Sequence, residues 1–235
     1  MTVDQRKTYE SYHFGFSFEL TYQHFQHLIK LFQTPSKMSN SILGGRSSVL
    51  IDEMNKIGPV AVKYYHRGGI VRHFIKKRYL KWGKTRGQKE YELLQKVRNI
   101  GISAPEPIAF AYFGRIFYQA WLVTREIKCH QTLAELSLSN KKRALLTMKH
   151  VIQQTAILIE NRILHVDLHP GNVIVDNQDR VYILDFDKGS IFSGNKNVLK
   201  SRYIRRWNRA IKKHRLPKML IELMYNGLNH KINHR

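Results

Sequence analysis

The sequence predicts an α+β fold of two lobes with a cleft between them, and three observations predict it. The first half reads as short strands with one helix. The second half reads mainly as helices. The change of pattern falls at residues 124–127. The expected lobes are therefore residues 1–125 and residues 126–235.

The elements follow from local pattern. Residues 47–51 and 60–65 are β-prone, with Gly58 and Pro59 expected as the turn between them. Glu90, Leu93, Leu94 and Val97 recur at i, i+3, i+4 and i+7, one face of a helix over 88–99. Gly101 ends that helix, and Pro105 and Pro107 prevent its resumption. Residues 108–112 and 116–124 read as a hairpin around Gly114 and Arg115. The strongest helical pattern spans 140–161, with Leu145, Met148, Ile152, Thr155, Ala156 and Ile159 as its stripe. Two short strands, 173–175 and 181–184, flank a turn at 176–179. Residues 196–214 form a strongly basic amphipathic helix, with Leu199, Tyr203, Trp207, Ala210 and Ile211 at helical spacing.

Composition bounds the function. The chain has 235 residues and 43% apolar content, enough for a packed core and against wholesale disorder. Its one cysteine, Cys129, has no partner for an internal disulfide, so a reducing compartment is expected. The first residues show no secretory h-region, and no apolar run approaches the ~18 residues of a membrane span. Forty Lys and Arg against seventeen Asp and Glu give a net charge of +23. So large an excess repels itself and points to an anionic partner: nucleic acid, anionic lipid or a phosphorylated sugar. It argues against polycationic substrates. The charge is clustered: residues 64–86 carry eight Lys or Arg and no acid, and residues 188–221 carry eleven and no acid.

The chemistry concentrates after the strongest helix. His165, Asp167 and Asn172 lie in the run HVDLHPGN, and Asp185 follows thirteen residues after Asn172 in LDFD. Phosphoryl transfer needs a group to orient the attacking hydroxyl and accept its proton, and ligands for a metal that neutralises phosphate charge. Asp167 suits the first role. Asn172 and Asp185 offer the hard oxygens that Mg2+ prefers. Asp187, two residues on, points the same way in extended chain and is either a second metal ligand, or a cap or a salt-bridge partner of nearby arginines. His165, Asp167 and His169 also share one face of an extended segment, which leaves open a metal-hydrolase reading, although no further His or Cys stands at zinc spacing.

The pattern H-x-D-x-x-x-x-N followed by D-F-x resembles the catalytic and metal-binding loops of protein kinases. That resemblance implies ATP and Mg2+ as cofactors and a two-lobed protein-kinase-like fold, with a mostly β N-lobe and a mostly helical C-lobe. Val166 stands where an arginine is usual, Asp187 where a glycine is usual, and no A-P-E follows. These departures resemble small-molecule kinases more than protein kinases. Lys63, at the end of PVAVK, resembles the strand lysine that contacts the α- and β-phosphates. Glu90 is its expected partner, because a carboxylate on a buried apolar face needs a counter-charge; Glu92 points away. Gly44, Gly45, Arg46 and Ser47 stand where a glycine-rich phosphate cover belongs. Glu126 and Ile127 stand where backbone groups of a hinge would bond adenine.

The chain also resembles the lipopolysaccharide kinase family. The resemblance rests on GGRS at 44–47, VKYYHRGG at 62–69, Arg78, Tyr79, Leu80 and Trp82, EYELL at 90–94, DLHPGN at 167–172 and DFDKG at 185–189. It implies ATP-dependent phosphorylation of the 4-hydroxyl of 3-deoxy-D-manno-octulosonic acid (Kdo) on a lipid A precursor. The place implied is the cytoplasmic face of a Gram-negative inner membrane, with the enzyme peripheral to it. Such an acceptor bears a carboxylate and phosphates, which Arg67, Arg72, Lys76, Lys77 and Arg78 can receive, with Gly68 and Gly69 allowing close backbone approach. The helix 196–214 can lie on anionic lipid, with Tyr203 and Trp207 facing either the interface or the protein core. A heptose or other lipopolysaccharide-sugar kinase and an atypical, RIO-like protein kinase are the alternatives. No nucleic-acid partner is expected, and the intact Lys63, Asp167, Asn172 and Asp185 argue against a pseudokinase.

Overall fold

The computed structural model describes residues 5–34, 49–65, 79–80 and 83–233. The chain divides into two compact units, Met1–Glu92 with Glu106–Glu126, and Leu93–Pro105 with Ile127–Arg235.

The first unit is an antiparallel sheet with a helix on one face. Its strands are β1 (Gln5–Tyr9), β2 (Tyr12–Phe16), β3 (Val49–Met54), β4 (Gly58–Tyr64), β5 (Tyr79–Leu80), β6 (Pro107–Phe113) and β7 (Phe117–Arg125). The order is β1-β2-β6-β7-β4-β3, with β5 paired to β7. Helix α1 (Tyr22–Gln33) buries Phe25, Leu28, Ile29 and Phe32. These pack with Phe14, Val60, Val62, Trp121 and Val123 in one core. Phe32 stacks on Trp121 with centroids 4.5 Å apart, and Phe25 meets Phe14 edge-on at 4.9 Å. Sequence pattern leads to no assignment over 5–33, yet the signals were there. Residues 25, 28, 29 and 32 form a helical stripe, and Tyr12, Phe14 and Phe16 alternate. Glu10 and Ser11 both take positive φ, the geometry of a two-residue hairpin turn.

Strand β4 alternates as a half-buried strand should. Val60, Val62 and Tyr64 enter the core on the α1 side, so Lys63 points to the opposite face. The β3–β4 turn lies at residues 55–57, before the expected Gly58 and Pro59, because Met54 pairs with Gly58. Lys56 supplies a positive φ within the turn and Gly58 another at its exit.

Helix α2 (Arg86–Asn99) begins in the first unit and ends in the second. Its first turn lies close against β7: a Cβ on Gly87 would meet the Trp121 carbonyl oxygen at 2.6 Å. Only glycine permits that approach, and it sets Glu90 one turn further along the helix.

In the second unit, β8 (His130–Thr132), β10 (Val173–Asp176) and β11 (Val181–Ile183) form one small sheet, and β9 (Ile163–Leu164) with β12 (Ser190–Ile191) another. The helices are α3 (Leu133–Ser139), α4 (Lys141–Glu160), α5 (Lys196–Lys213) and α6 (Met219–Asn233). Thr132 and Glu135 cap α3 reciprocally, and Asn140 accepts from the Arg143 N–H at the start of α4. The buried stripe of α4 includes the expected Met148, Ile152, Thr155 and Ile159. It is turned so that Ala144, Val151 and Leu158 are buried while Leu145 and Ala156 lie at its margins. Gln154 is buried with both ends of its amide engaged, accepting from the Ser103 N–H at 3.0 Å and donating to the Val181 carbonyl at 2.9 Å. Helix α6, unassigned from sequence, buries Leu220, Met224 and Leu228 at four-residue spacing. Among the described residues no helix is long and apolar enough to cross a membrane.

Candidate active site

The candidate residues of the first unit centre on Lys63. Its Nζ donates to both carboxylate oxygens of Glu90, at 3.0 and 2.9 Å. The Tyr65 hydroxyl donates to the same carboxylate at 2.5 Å. Glu90 is 3% exposed and Lys63 15%, so this charge is stabilised by its partners and hardly by water. Lys63 also lies 5.4 Å from the centre of the Tyr65 ring, and Arg86 5.3 Å. Glu92, one residue from pointing inward, is tied at the surface to Lys84 at 2.7 Å and to Gln88 at 3.0 Å. Tyr65 and Arg86 were not among the expected site residues. Their sequence signals are the aromatic directly after the lysine strand and the basic residue one turn before Glu90.

The second unit holds the HVDLHPGN segment. His165 is buried. Its Nε2–H donates to the Leu184 carbonyl at 2.8 Å, and its Nδ1 accepts from the Asp167 N–H at 3.3 Å. Those two bonds specify the neutral imidazole with its proton on Nε2. Burial pushes its pKa below the ordinary value, against the raising effect of the Leu184 bond and the nearby Asp185 and Asp167 charges. The ring meets Phe186 edge-on at 4.6 Å. With both nitrogens committed, His165 has no lone pair for a metal, and among the described residues no cluster of three His, Cys, Asp or Glu is arranged to hold one. The His165–Asp167–His169 metal-hydrolase reading is thereby set aside on geometry. His169 instead accepts from the Gly171 N–H at 3.0 Å, capping the short turn Pro170–Asn172. Burial, then the charge of Arg206, lowers its pKa to about 4.

Asn172 is pinned from two sides. Its Nδ2 donates to the Asp167 carbonyl at 3.0 Å, and its own carbonyl accepts from the Leu184 N–H at 2.8 Å. Among the described residues nothing donates to its Oδ1, which leaves that oxygen as the available ligand atom. The β10–β11 ladder pairs Val173 with Ile183, so Asp185 follows directly on the residue bonded to Asn172. Asp185 takes φ +62°, a left-handed conformation that non-glycine residues rarely adopt. An amide oxygen and a carboxylate at adjoining positions are hard donors, so these residues fit Mg2+. Asp185 and Asp187 are both half-buried. Gly189 closes the segment, where a Cβ would meet the Leu93 side chain at 2.4 Å.

Asp167 is half-exposed, and Arg206 of α5 reaches it: Nε donates to Oδ1 at 2.8 Å, and Nη2 donates to the same oxygen. Tyr203, one turn earlier on α5, is buried. Its hydroxyl accepts from the His165 N–H at 2.8 Å and donates to the Ile163 carbonyl at 2.6 Å. Trp207 is fully buried and donates from Nε1 to the Leu220 carbonyl at 3.0 Å. Tyr203 and Trp207 therefore face the core, and the reading that turns them to a membrane interface is withdrawn. Neither the Arg206 nor the Tyr203 contact was legible from sequence, since each spans nearly forty residues.

The backbone of the expected hinge residues is partly spent. The Glu126 N–H donates to the Pro59 carbonyl at 3.0 Å, and the Ile127 carbonyl accepts from His130 Nδ1 at 2.5 Å. Among the described residues the Glu126 carbonyl and the Ile127 N–H remain for a ligand, half of the expected set. Gly44, Gly45, Arg46 and Ser47, and Arg67, Gly68, Gly69, Arg72, Lys76, Lys77 and Arg78, lie outside the described residues.

A model of the lipopolysaccharide kinase (Kdo/WaaP) family matches residues 43–219, and the chain belongs to that family. It is 32% identical over 155 residues to a 3-deoxy-D-manno-octulosonic acid kinase of Vibrio vulnificus (strain YJ016), covering 63% of this chain and 65% of that protein. A relative of the same name from Vibrio parahaemolyticus is 31% identical over 161 residues, 66% of each chain. Another from Xylella fastidiosa (strain M23) is 24% identical over 151 residues, 63% of this chain and 59% of the relative. The chain thus spans just under two thirds of the length of these relatives.

Proposed function

We propose that this protein is an ATP- and Mg2+-dependent kinase that phosphorylates the 4-hydroxyl of Kdo on a lipid A precursor, in lipopolysaccharide core assembly. The observation that carries the reading is the family match over 43–219, which includes Lys63, Glu90, Asp167, Asn172 and Asp185. The relatives' shared name supports Kdo over heptose as the acceptor sugar. The net charge of +23 suits an acceptor that carries carboxylate and phosphates.

In this reading Lys63, held by Glu90, contacts the α- and β-phosphates. Asp167 orients the acceptor hydroxyl and takes its proton. Asn172 Oδ1 and the Asp185 carboxylate hold the metal, with Asp187 as a further ligand or as their support. Mg2+ held there would supply charge neutralisation for the phosphates. His165 takes no proton; it buttresses the loop, joining Asp167 to Leu184 beside Asp185. The Glu126 carbonyl and the Ile127 N–H receive adenine. The protein acts as a peripheral enzyme at the cytoplasmic face of the inner membrane of a Gram-negative cell, and the exposed arginines of α5 supply attraction to anionic lipid worth ~1 kcal/mol each.

The test is transfer of the radiolabelled γ-phosphate of ATP to a Kdo-bearing lipid A precursor, with Asp167→Ala alongside. Label in lipid with the wild type and none with the variant supports the reading. Label on polypeptide with none in lipid would replace it with the atypical protein-kinase reading.

A further inference from the structure

Arg206 is a permanent positive charge bonded directly to the carboxylate proposed to meet the acceptor hydroxyl. Both of its bonds go to one oxygen, Oδ1 of Asp167. A guanidinium has five N–H donors. Three of those of Arg206 therefore have no acceptor among the described residues, as Oδ2 of Asp167 has no donor. The side chain is 21% exposed and Asp167 49%, so both members of the pair can be reached by a ligand.

The surroundings raise the positive charge further. Arg202, Arg206, Arg209 and Lys213 recur at i, i+4, i+7 and i+11 and so share one flank of α5. Arg202, Arg209 and Lys213 are exposed. No acidic residue occurs between Lys188 and Ile221, and among the described residues the one carboxylate bonded to this flank is Asp167 itself. The charge of Arg206 is felt by its neighbours: it contributes to lowering the pKa of His169 and, after burial and Lys213, that of His214. A single aspartate leaves this flank strongly under-neutralised.

We propose that Arg206 is a specificity-determining residue that receives an anionic oxyacid group of the acceptor, carboxylate or phosphate, while its bond to Asp167 sets the acceptor hydroxyl against Oδ2. The inference rests on the sugar-kinase reading and deepens it. A fixed guanidinium that grips the base with one edge keeps its other edge for a planar two-oxygen anion, the geometry arginine matches best. An acid group and a hydroxyl carried on one acceptor molecule then bind neighbouring atoms of a preformed pair. Binding and alignment arise together, without a separate ordering step. Arg202 and Arg209 extend the same flank toward further anionic groups.

The experiment measures kcat and KM for wild type, Arg206→Gln, Arg206→Lys and Arg209→Gln on three acceptors. These are the intact Kdo-bearing lipid, its carboxylate methyl ester, and the lipid with its phosphates removed. Loss of a charge-assisted contact should raise the acceptor KM of Arg206→Gln by about 10- to 100-fold, with the ATP KM unchanged. Arg206→Lys should recover part of that loss, and Arg209→Gln should cost a smaller factor. The Arg206→Gln penalty should vanish on whichever acceptor lacks the recognised group, the ester for a carboxylate or the dephosphorylated lipid for a phosphate. A penalty of equal size on all three acceptors, or one confined to kcat, overturns the inference and leaves Arg206 as a support for Asp167 alone. A wild type that phosphorylates none of the three overturns the sugar-kinase reading itself, a result distinct from an active wild type with indifferent Arg206 variants.

Discussion

Tyr203→Phe removes one oxygen atom and tests how the HVDLHPGN segment is held. The hydroxyl sits in a buried position between two backbone groups of one short stretch, accepting from the His165 N–H at 2.8 Å and donating to the Ile163 carbonyl at 2.6 Å. Burial pushes its pKa up, so it is a neutral donor at any working pH. The phenyl ring keeps the packing of Tyr203 against the core. What is lost is a partner for a buried donor and a partner for a buried acceptor. An unsatisfied buried group costs about 1–3 kcal/mol, and water has little room to replace the hydroxyl, so the variant should lose about 2–4 kcal/mol. In a domain of this size that corresponds to a melting temperature lower by about 5–15 °C. The assay is urea unfolding of wild type and variant, followed by tryptophan fluorescence because Trp207 lies one turn from the substitution. Turnover should fall as well, since the same backbone positions Asp167 two residues on. A stability change below about 0.5 kcal/mol would refute the reasoning, because it would mean that the two backbone groups find other partners at no cost.

Other predictions concern the rest of the site. Glu90→Gln keeps the shape but removes the buried charge opposite Lys63, and should cost about 3 kcal/mol. Glu92→Gln, at a surface pair with Lys84, should cost less than about 0.5 kcal/mol; equal losses in parallel denaturation curves would contradict the buried-pair account. His165 has a folded pKa below its unfolded one, so below about pH 6.5 the unfolded chain binds a proton that the folded protein refuses. Stability should therefore fall as the pH drops from 6.5 toward 4.5, and His165→Asn should flatten that slope by up to ~1.4 kcal/mol per pH unit. Identical slopes in the two proteins would contradict the neutral, buried imidazole. Asp185→Asn preserves a side chain that tolerates the left-handed backbone but weakens the oxygen donor. Mg2+-dependent ATP affinity should drop by more than about 10-fold with an unchanged melting temperature, and unaltered affinity in a binding titration would remove Asp185 from the metal site.

Several features were legible because they are local. Helix α2 was readable from the spacing of Glu90, Leu93, Leu94 and Val97, and the choice of Glu90 over Glu92 from which of them shares that apolar face. The β10–β11 hairpin was readable from two β-prone runs around a polar turn, and it carries Asp185 back to Asn172. Elements α1 and α6 also carry apolar stripes, Phe25, Leu28, Ile29 and Phe32 in one and Leu220, Met224 and Leu228 in the other. The β3–β4 turn was misplaced because Gly58 and Pro59 are turn formers by type, whereas the pairing of Met54 with Gly58 puts the reversal earlier.

The sequence by itself determined the residue types and spacings of the chemistry, the alternation that turns Lys63 away from the α1 core, and the basic flank of α5. Each is set within one element, where a fixed period of 2 or 3.6 converts order along the chain into direction in space. Tertiary structure alone decided that Arg206 grips Asp167, that Tyr203 holds the backbone of His165, that Trp207 is core, and that the Glu126 N–H is spent on Pro59. These contacts join residues 13 to 67 positions apart. Their partners are chosen by which elements pack side by side and by the cost of leaving a buried polar group without a partner, conditions that no local window of sequence contains.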